Sequence, residues 1–438
     1  MIPNLAAEAI KRAKMDYQQG QKKEWDKERH LFLQYYKDRA EEDYMQFVSE
    51  ALRRQLPTPS NNITRRVIDR VSLVYMIPPT RIIGQEGYDM EKYRELTANK
   101  DLRLQVAERR TNLLGLIALK LTWRNGKIDY DIILDFEPFF DNDPLTPVAV
   151  SFPISQKATV TDTETERWQY WDSEGWMTYE KGGKIIEEGE NEYGLLPFVF
   201  CFVEVPDNYF LDVDGDRGLV YANRELNVLQ LDGDANIRFR SFGEMWAQGL
   251  MEDTKLEKDP SIIHSLPEGA SINSTSPEDT INSVAEWMKL IYKFVARNHH
   301  LPEDFVDGSQ AESGVAIQER NRELMDDRRS DIERWRVLEH EMYMIEKAIL
   351  LVEANLKLPD EFYVDFLESL NLETPEEMRA RWDWELAHNA TTLARILTEY
   401  DPDRFPTEED AQKAIDENKK VNGLRGVLAD ALAAPVNA

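Results

Sequence analysis

Between Leu119 and Val203 the chain abandons the helical spacing of its apolar residues, and that change limits the folds open to it. Leu119-Lys120-Leu121-Thr122-Trp123-Arg124, then Asn125-Gly126, then Ile128 to Leu134 reads as strand, turn, strand. Asn-Gly supplies the positive φ that a two-residue hairpin turn demands. Further strands are expected at Val148–Phe152, Thr159–Thr163, Arg167–Trp171, Trp176–Lys181 and Lys184–Glu188, and the run ends with Pro197 to Val203. Asp172-Ser173-Glu174-Gly175 and Gly182-Gly183 supply turns between them. A meander of antiparallel strands set between helical blocks makes the fold class α+β, predominantly α-helical.

The helical blocks follow from threes-and-fours spacing. Tyr35, Tyr36, Tyr44, Phe47, Val48 and Leu52 mark the first, which Pro57 and Pro59 end. Ile63, Val67, Val71 and Val74 predict one helix from Thr64 to about Met76, closed by Pro78-Pro79, and a third is expected from Met90 to about Leu116. From Asp216 helix returns, with Leu219, Ala222, Leu226, Leu229 and Ala235 to Ile237 on one side. Residues 241–276 read as a small α/β insertion. Ser276-Pro277-Glu278-Asp279 opens a helix to His300, with Ser at the N-cap and acids against the dipole. A long helix is expected from Val315 to Leu356. Trp335, Leu338, Met342, Ile345, Ile349 and Val352 make a packed stripe on its second half, and the polar first half, Gln318 to Asp331, is expected to be solvated or to meet another subunit. Helices at Thr374–Glu399 and Thr407–Val421 complete the chain, and the alanine-rich end from Ala429 is expected to be mobile.

Composition narrows the function. A chain of 438 residues has length for about three domains of ~150 residues. Lys plus Arg is 53 and Asp plus Glu is 82, a net charge of −29, which argues against a protein that coats duplex DNA or anionic lipid. The single cysteine, Cys201, rules out an intrachain disulfide and a Cys-based zinc site; within Phe198–Val203 it reads as an inert thiol in a buried strand. No stretch is apolar enough for a membrane span, and Met1 to Glu8 lacks the pattern of a secretory signal, so an intracellular, soluble origin is expected.

Sequence motifs for catalysis are largely missing: there is no phosphate-cradling glycine loop, no dinucleotide fingerprint and no nucleophile elbow, so no enzyme activity and no cofactor are expected. His340-Glu341 begins a zincin-like motif, but the place of its second histidine is taken by Met344; His299-His300 point about 100° apart and read as a surface pair. Asp212, Asp214 and Asp216 alternate as in a calcium loop. However, Arg217 stands at the sixth position and Asn223 at the twelfth, so a polar turn in which Asp214 or Asp216 caps the following helix is the stronger reading. Lys289, Lys293 and Arg297, at i, i+4 and i+8, form a basic row opposite Ile281, Val284, Met288, Ile291 and Val295. Such a row suits phosphate, and it equally suits acids of a neighbouring chain.

Four stretches carry a resemblance. They are Tyr35-Tyr36-Lys37-Asp38; Asn61-Asn62-Ile63 with Val67-Ile68-Asp69 and Tyr75-Met76-Ile77-Pro78-Pro79; Leu196-Pro197-Phe198-Val199 followed by the helix Gly218–Asn236 with Asn223, Asn227 and Asp232; and Glu312-Ser313-Gly314-Val315-Ala316-Ile317. In these the chain resembles the portal proteins of tailed bacteriophages, the head-to-tail connectors through which genomic DNA is packaged. The matches are short and scattered between Tyr35 and about Val421, and the last is the most specific.

The resemblance implies a portal-type protomer in a ring, typically a dodecamer, at one capsid vertex of the virion, made in the host bacterial cytoplasm. Residues 1–215 would form the wing, 216–240 and 277–300 the two stem helices, 241–276 the clip and 301–314 the tunnel loop. Residues 315–357 would be the long wing helix and 358–438 the crown. The implied partners are further copies of the chain, major capsid protein and scaffold, a terminase ATPase, a head-completion or tail adaptor protein, and double-stranded DNA passing through without sequence specificity; no membrane is involved. Phe305, Val306, Asp307, Gly308 and Gln310 would form the tunnel loop, while Lys289, Lys293 and Arg297 would face the channel or a subunit boundary. A conduit must touch DNA without gripping it, and an acidic chain keeps contacts with phosphate weak. Within the loop, Phe305 and Val306 offer van der Waals contact, Glu303 and Asp307 repel phosphate, and Gly308 and Gly314 act as pivots. Two other classes remain: an acidic divalent-metal-dependent hydrolase built on Asp212, Asp214 and Asp216, and another virion structural protein such as a scaffold or tail adaptor.

Overall fold

The computed structural model describes residues 2–14, 21–54, 56–59, 61–84, 90–156, 165–180, 182–242, 244–248, 269, 271–275, 281–302, 305, 322–366, 375–388, 390–400, 404–405 and 407–418. The expected strand Thr159–Thr163 and the alanine-rich end lie outside them. The chain divides into two units: residues 1–309 with 320–368, and residues 310–319 with 369–438.

The first unit begins with α1 (Pro3–Lys14), α2 (Gln21–Tyr36) and the short α3 (Glu41–Tyr44) and α4 (Glu50–Arg53). α5 (Ile63–Val71) starts where the Asn62 side chain accepts the Arg65 N–H at 2.9 Å. The single helix expected from Thr64 to Met76 is broken. Ser72 turns its hydroxyl back onto the Ile68 carbonyl (2.7 Å), and Val74–Met76 is a separate 3-10 turn. β1 (Thr80–Ile83) follows. The helix expected from Met90 to Leu116 is likewise two, α6 (Glu91–Leu96) and α7 (Lys100–Leu114), parted by a turn in which the Thr97 hydroxyl bonds the Tyr93 carbonyl at 2.8 Å.

The meander forms two antiparallel sheets. One has the order β3 (Lys127–Ile133), β2 (Leu116–Arg124), β9 (Phe198–Phe202); the other runs β4 (Glu137–Phe139), β5 (Ala149–Gln156), β6 (Thr165–Asp172), β7 (Gly175–Glu180), β8 (Ile185–Glu190). Asn125 and Gly126 adopt φ of 54° and 75°, the tight turn expected between β2 and β3. β2 is buried on both sides. Ile117, Leu119 and Leu121 face the main core, and Leu116 and Ala118 join Phe136, Phe152, Phe198 and Phe210 in a second cluster between the sheets. Cys201 is fully buried in β9, and burial pushes its thiol pKa up, as an inert role requires.

α8 (Arg217–Phe242) leads to a hairpin of β10 (Glu244–Gln248) and β11 (Ser271–Thr275), then α9 (Ile281–Asn298) and α10 (Arg322–Glu353). Of the apolar side expected on α8, Leu219, Leu226 and Ala235 are buried, whereas Ile237 is exposed. Trp335, Leu338, Met342, Ile345 and Ile349 of α10 enter the main core as expected; Val352 is exposed. The polar first half of α10 is solvated on one side, where Glu323, Asp326, Arg329 and Ser330 are exposed, and buried on the other. Leu324 and Arg328 are buried, and Arg328 Nε donates to the Leu73 carbonyl at 3.1 Å. Deeper along α10, Glu339 and Glu346 are fully buried and pair with Lys100 at 2.9 and 2.8 Å; Glu339 also takes Arg81 at 2.6 Å. The hydroxyls of Tyr75, Tyr93 and Tyr130 donate to the same two carboxylates.

β12 (Phe362–Asp365), which periodicity did not reveal, pairs antiparallel with β1 and keeps residues 358–366 with the first unit. The second unit contains α11 (Pro375–Ala387), α12 (Leu393–Tyr400) and the helical residues 408–418, and the last two carry a small core of Ala394, Ala411 and Ile415. The fold is a mixed α+β arrangement, and among the described residues no helix is long and apolar enough to cross a membrane.

Candidate functional site

The helices α8 and α9 form an antiparallel stalk. Asp216, just before α8, meets His299, just after α9, at 2.6 Å. Further along, Trp287 Nε1 donates to Glu225 at 2.9 Å, and a Cβ placed on Gly233 would touch Val284 at 3.9 Å. The 26 residues of α8 give the stalk a length of about 39 Å, and its far end passes into the β10–β11 hairpin.

The base of the stalk is fixed by backbone contact. Gly115, at φ +78°, ends α7, and a Cβ there would lie 2.4 Å from the Asp214 carbonyl; one on Gly215 would lie 2.7 Å from the Leu113 carbonyl and 2.8 Å from the Phe32 ring. Only glycine at both positions lets these two segments come so close. The Asp216 N–H then reaches the Leu113 carbonyl at 3.0 Å.

Asp216 has two tasks. One carboxylate oxygen accepts the Leu219 N–H at 3.1 Å, the cap foreseen from sequence, and the other faces His299 Nε2. His299 Nδ1 lies 2.8 Å from the Val295 carbonyl. A carbonyl and a carboxylate only accept, so both contacts are hydrogen bonds when His299 is the imidazolium. Burial opposes that charge, but Asp216 and the Val295 carbonyl outweigh it and raise the pKa. The α9 C-terminus also favours a cation. His300, at φ 51°, turns the other way and pairs with Asp327 of α10. The two histidines therefore join three helices rather than forming the surface pair expected, and they border a cavity of about 310 Å³ with Asn298, Asp331 and Arg334.

Polar bonds also tie the stalk to the helices before it. The buried Asn223 side chain accepts the Thr64 N–H and hydroxyl, both at 2.9 Å, and donates to the Asn61 carbonyl at 2.7 Å. Asn61 in turn donates to the Tyr292 hydroxyl at 2.6 Å. Arg224 grips Asp43 at 2.7 and 3.1 Å, and the Tyr35 hydroxyl joins the same carboxylate at 2.8 Å.

Lys289, Lys293 and Arg297 are exposed, and Ile291 and Val295 on the opposite side of α9 are buried. Beside the cations Trp287, Leu290 and Phe294 are also exposed, an apolar row that the search for charge spacing overlooked. Phe305 is half-buried against the main core with the Arg66 guanidinium 5.5 Å from its ring centre, so its ring packs within the chain. Val306, Asp307, Gly308 and Gln310, with Glu303 and Gly314, lie outside the described residues. Of the alternating acids, Asp214 is 86% exposed, Asp212 accepts a long 3.4 Å bond from Asn208, and Asp216 is committed to His299 and the cap. Among the described residues no three His, Cys, Asp or Glu side chains are grouped to hold a metal ion.

No protein-family model matches the chain, and no curated protein matches it. Among solved structures it is similar to a chain from the virion of a native gene transfer agent particle. The identity is 11%, the match covers 76% of this chain and 86% of that one, and the TM-score is 0.36.

Proposed function

We propose that this chain is a virion structural protein of the portal type, a non-enzymatic subunit whose copies close into a ring around a channel for duplex DNA. The observation that carries this reading is the stalk. Two antiparallel helices rise from a base locked by His299 and Asp216 and lead to a β-hairpin, the order that the sequence resemblance assigns to stem, clip and stem. Residues 1–215 and 315–357, with β12 paired to β1, act as the wing, 241–276 as the clip that meets the terminase ATPase and later the tail adaptor, 301–314 as the tunnel loop, and the rest of 358–438 as the crown. Capsid protein and scaffold surround the ring in the virion, with a dodecamer as the working stoichiometry. Low affinity for DNA fits a chain of net charge −29, because a continuous basic lining would hold phosphate and stall passage. The reading needs neither cofactor nor metal.

Negative-stain images of the purified protein test it. Rings with a central hole are expected; compact particles without one, at every concentration and salt, refute the proposal. Deleting Val306–Gln310, which spares the packed Phe305, should leave rings intact and impair DNA packaging or retention, and unchanged packaging would count against the tunnel-loop assignment.

A further inference from the structure

We infer that the stalk carries two flanks of opposite character that join one copy of this chain to the next: the α9 row Lys289, Lys293 and Arg297 docks against the α8 row Tyr221, Glu225 and Asp232 of a second copy. The inference deepens the ring reading and rests on it.

At about 100° per residue, Tyr221, Glu225 and Asp232 fall within about 40° of one another on α8. All three are exposed, Tyr221 at 41%. On α9 the three cations span about 80°. Glu286 also lies on that exposed side, so the side carries three cations and one acid. The α8 side presents two acids beside the Tyr221 ring, with Arg224 over that ring and Arg217, about 40° further round, paired with Glu28 at 2.9 Å. The bond from Trp287 Nε1 to Glu225 sets the relation between the rows, because it places the acidic row of α8 next to the Trp287 edge of α9. Lys289, Lys293 and Arg297 lie about 160°, 120° and 80° round α9 from Trp287. The two lysines therefore point away from the acidic row of α8, while Arg297 stands nearer the Trp287 edge.

This arrangement selects the kind of association. A two-fold pair through either flank sets like charges against each other. A second copy set alongside in the same sense brings its acidic flank onto the basic flank of the first, and repetition of that contact closes a ring if the rotation permits. The apolar row strengthens the case for a protein occupant. Leu290 and Phe294, 37% and 48% exposed, adjoin Arg297, and large exposed apolar side chains beside charge mark protein contacts rather than DNA contacts. The basic row is then neutralised between subunits and does not line the channel.

Two charge-reversed chains test the assignment, Lys289→Glu with Lys293→Glu, and Glu225→Lys with Asp232→Lys. All four positions are exposed, and circular dichroism verifies folding. Assembly is followed by mass photometry. Each reversed chain alone should need more than ~10-fold the wild-type concentration to assemble. An equimolar mixture should recover, because each contact then pairs an acidic with a basic flank and the two chains alternate. Wild-type assembly should also weaken as salt rises from ~0.05 to ~0.5 M, a readout that needs no variant. Rings from each reversed chain alone, a mixture that stays apart, or salt-independent assembly would overturn this interface and leave the ring reading standing. A wild-type chain that never assembles would overturn both.

Discussion

Replacing Asp216 by Asn separates the two tasks of that side chain. Asn caps helices as well as Asp, so the bond from the Leu219 N–H survives, and the loss is the negative charge opposite His299. The two side chains are 15% and 20% exposed, and their 2.6 Å contact lies between the surface and buried regimes. Exposed pairs contribute about 0.2–1 kcal/mol and hydrogen bonds to charged groups about 1.5–3 kcal/mol, so a loss of about 1–2 kcal/mol is expected at this joint. The pH dependence has a definite sign. Asp216 and the Val295 carbonyl raise the folded-state pKa of His299 against the opposing effect of burial. The stabilisation is therefore complete below the unfolded value of ~6.5 and disappears as pH rises through the folded value. The lost attraction of an anion for the α8 dipole, about 0.3–1 kcal/mol, leaves an offset that does not vary with pH. Because the chain has two units, a global unfolding energy is the wrong observable. Hydrogen exchange of peptides covering 217–222 and 293–300 reports the joint directly. The gap in protection between wild type and Asp216→Asn should be largest below pH ~6.5 and shrink toward the offset as pH rises through the folded value. A gap that is constant or widens over that range would refute the imidazolium assignment.

Three further outcomes follow from the core. Lys100→Met leaves Glu346 without a cation and Glu339 with Arg81 alone, and should cost the first unit about 3–5 kcal/mol, read by hydrogen exchange of peptides covering 339–346. Burial opposes the Glu339 charge, but Lys100 and Arg81 hold its pKa down at about 2, so its contribution persists above the ordinary carboxylate range and fails only as pH falls toward 2. Gly126→Ala and Gly115→Ala should differ. Both positions have positive φ, at a backbone cost of about 1–2 kcal/mol, but a Cβ on Gly126 meets nothing while one on Gly115 strikes the Asp214 carbonyl, so hydrogen exchange across the first unit should show the second as clearly more damaging. Cys201 should react with a thiol reagent no faster than the first unit opens, and rapid labelling of the native protein would contradict its buried setting.

Where neighbours in sequence settle the conformation, the fold was legible. Asn125-Gly126 fixed a hairpin by backbone geometry alone, and Asp216 announced a cap. The alternation in β2 could be read as strand, but not that both its faces are covered, since the second layer comes from residues 136–213. β12 escaped because four residues carry no period, and its partner β1 is about 280 residues away in the chain. The candidate site shows the same division. Three cations at intervals of four were visible, while the histidine pair was dismissed, because what makes His299 a joint is a carboxylate 83 residues earlier brought close by Gly115 and Gly215.

Two departures from expectation, the break in the Thr64–Met76 helix and the burial of Arg328 in the polar half of α10, meet at the Leu73 carbonyl. Had the helix continued to Met76, the N–H groups of Val74 and Tyr75 would have been bonded within it, whereas the Leu73 carbonyl, among its last four, would still have needed a partner. The turn at Ser72 frees those N–H groups inside the protein, where an unpaired amide costs about 1–3 kcal/mol. Glu108 accepts both N–H groups at 2.7 and 3.1 Å, and Arg328 donates to the Leu73 carbonyl, which otherwise takes only a long 3.4 Å bond from Met76. Burial raises the Glu108 pKa to about 7 even against those two donors, so the acid is retained despite its desolvation. Helix spacing marks Glu108 and Arg328 as surface residues, because it counts side chains and not the backbone groups that a distant break leaves to be satisfied. A charged residue in a polar stretch of helix is read correctly only once the protein's broken helices have been found.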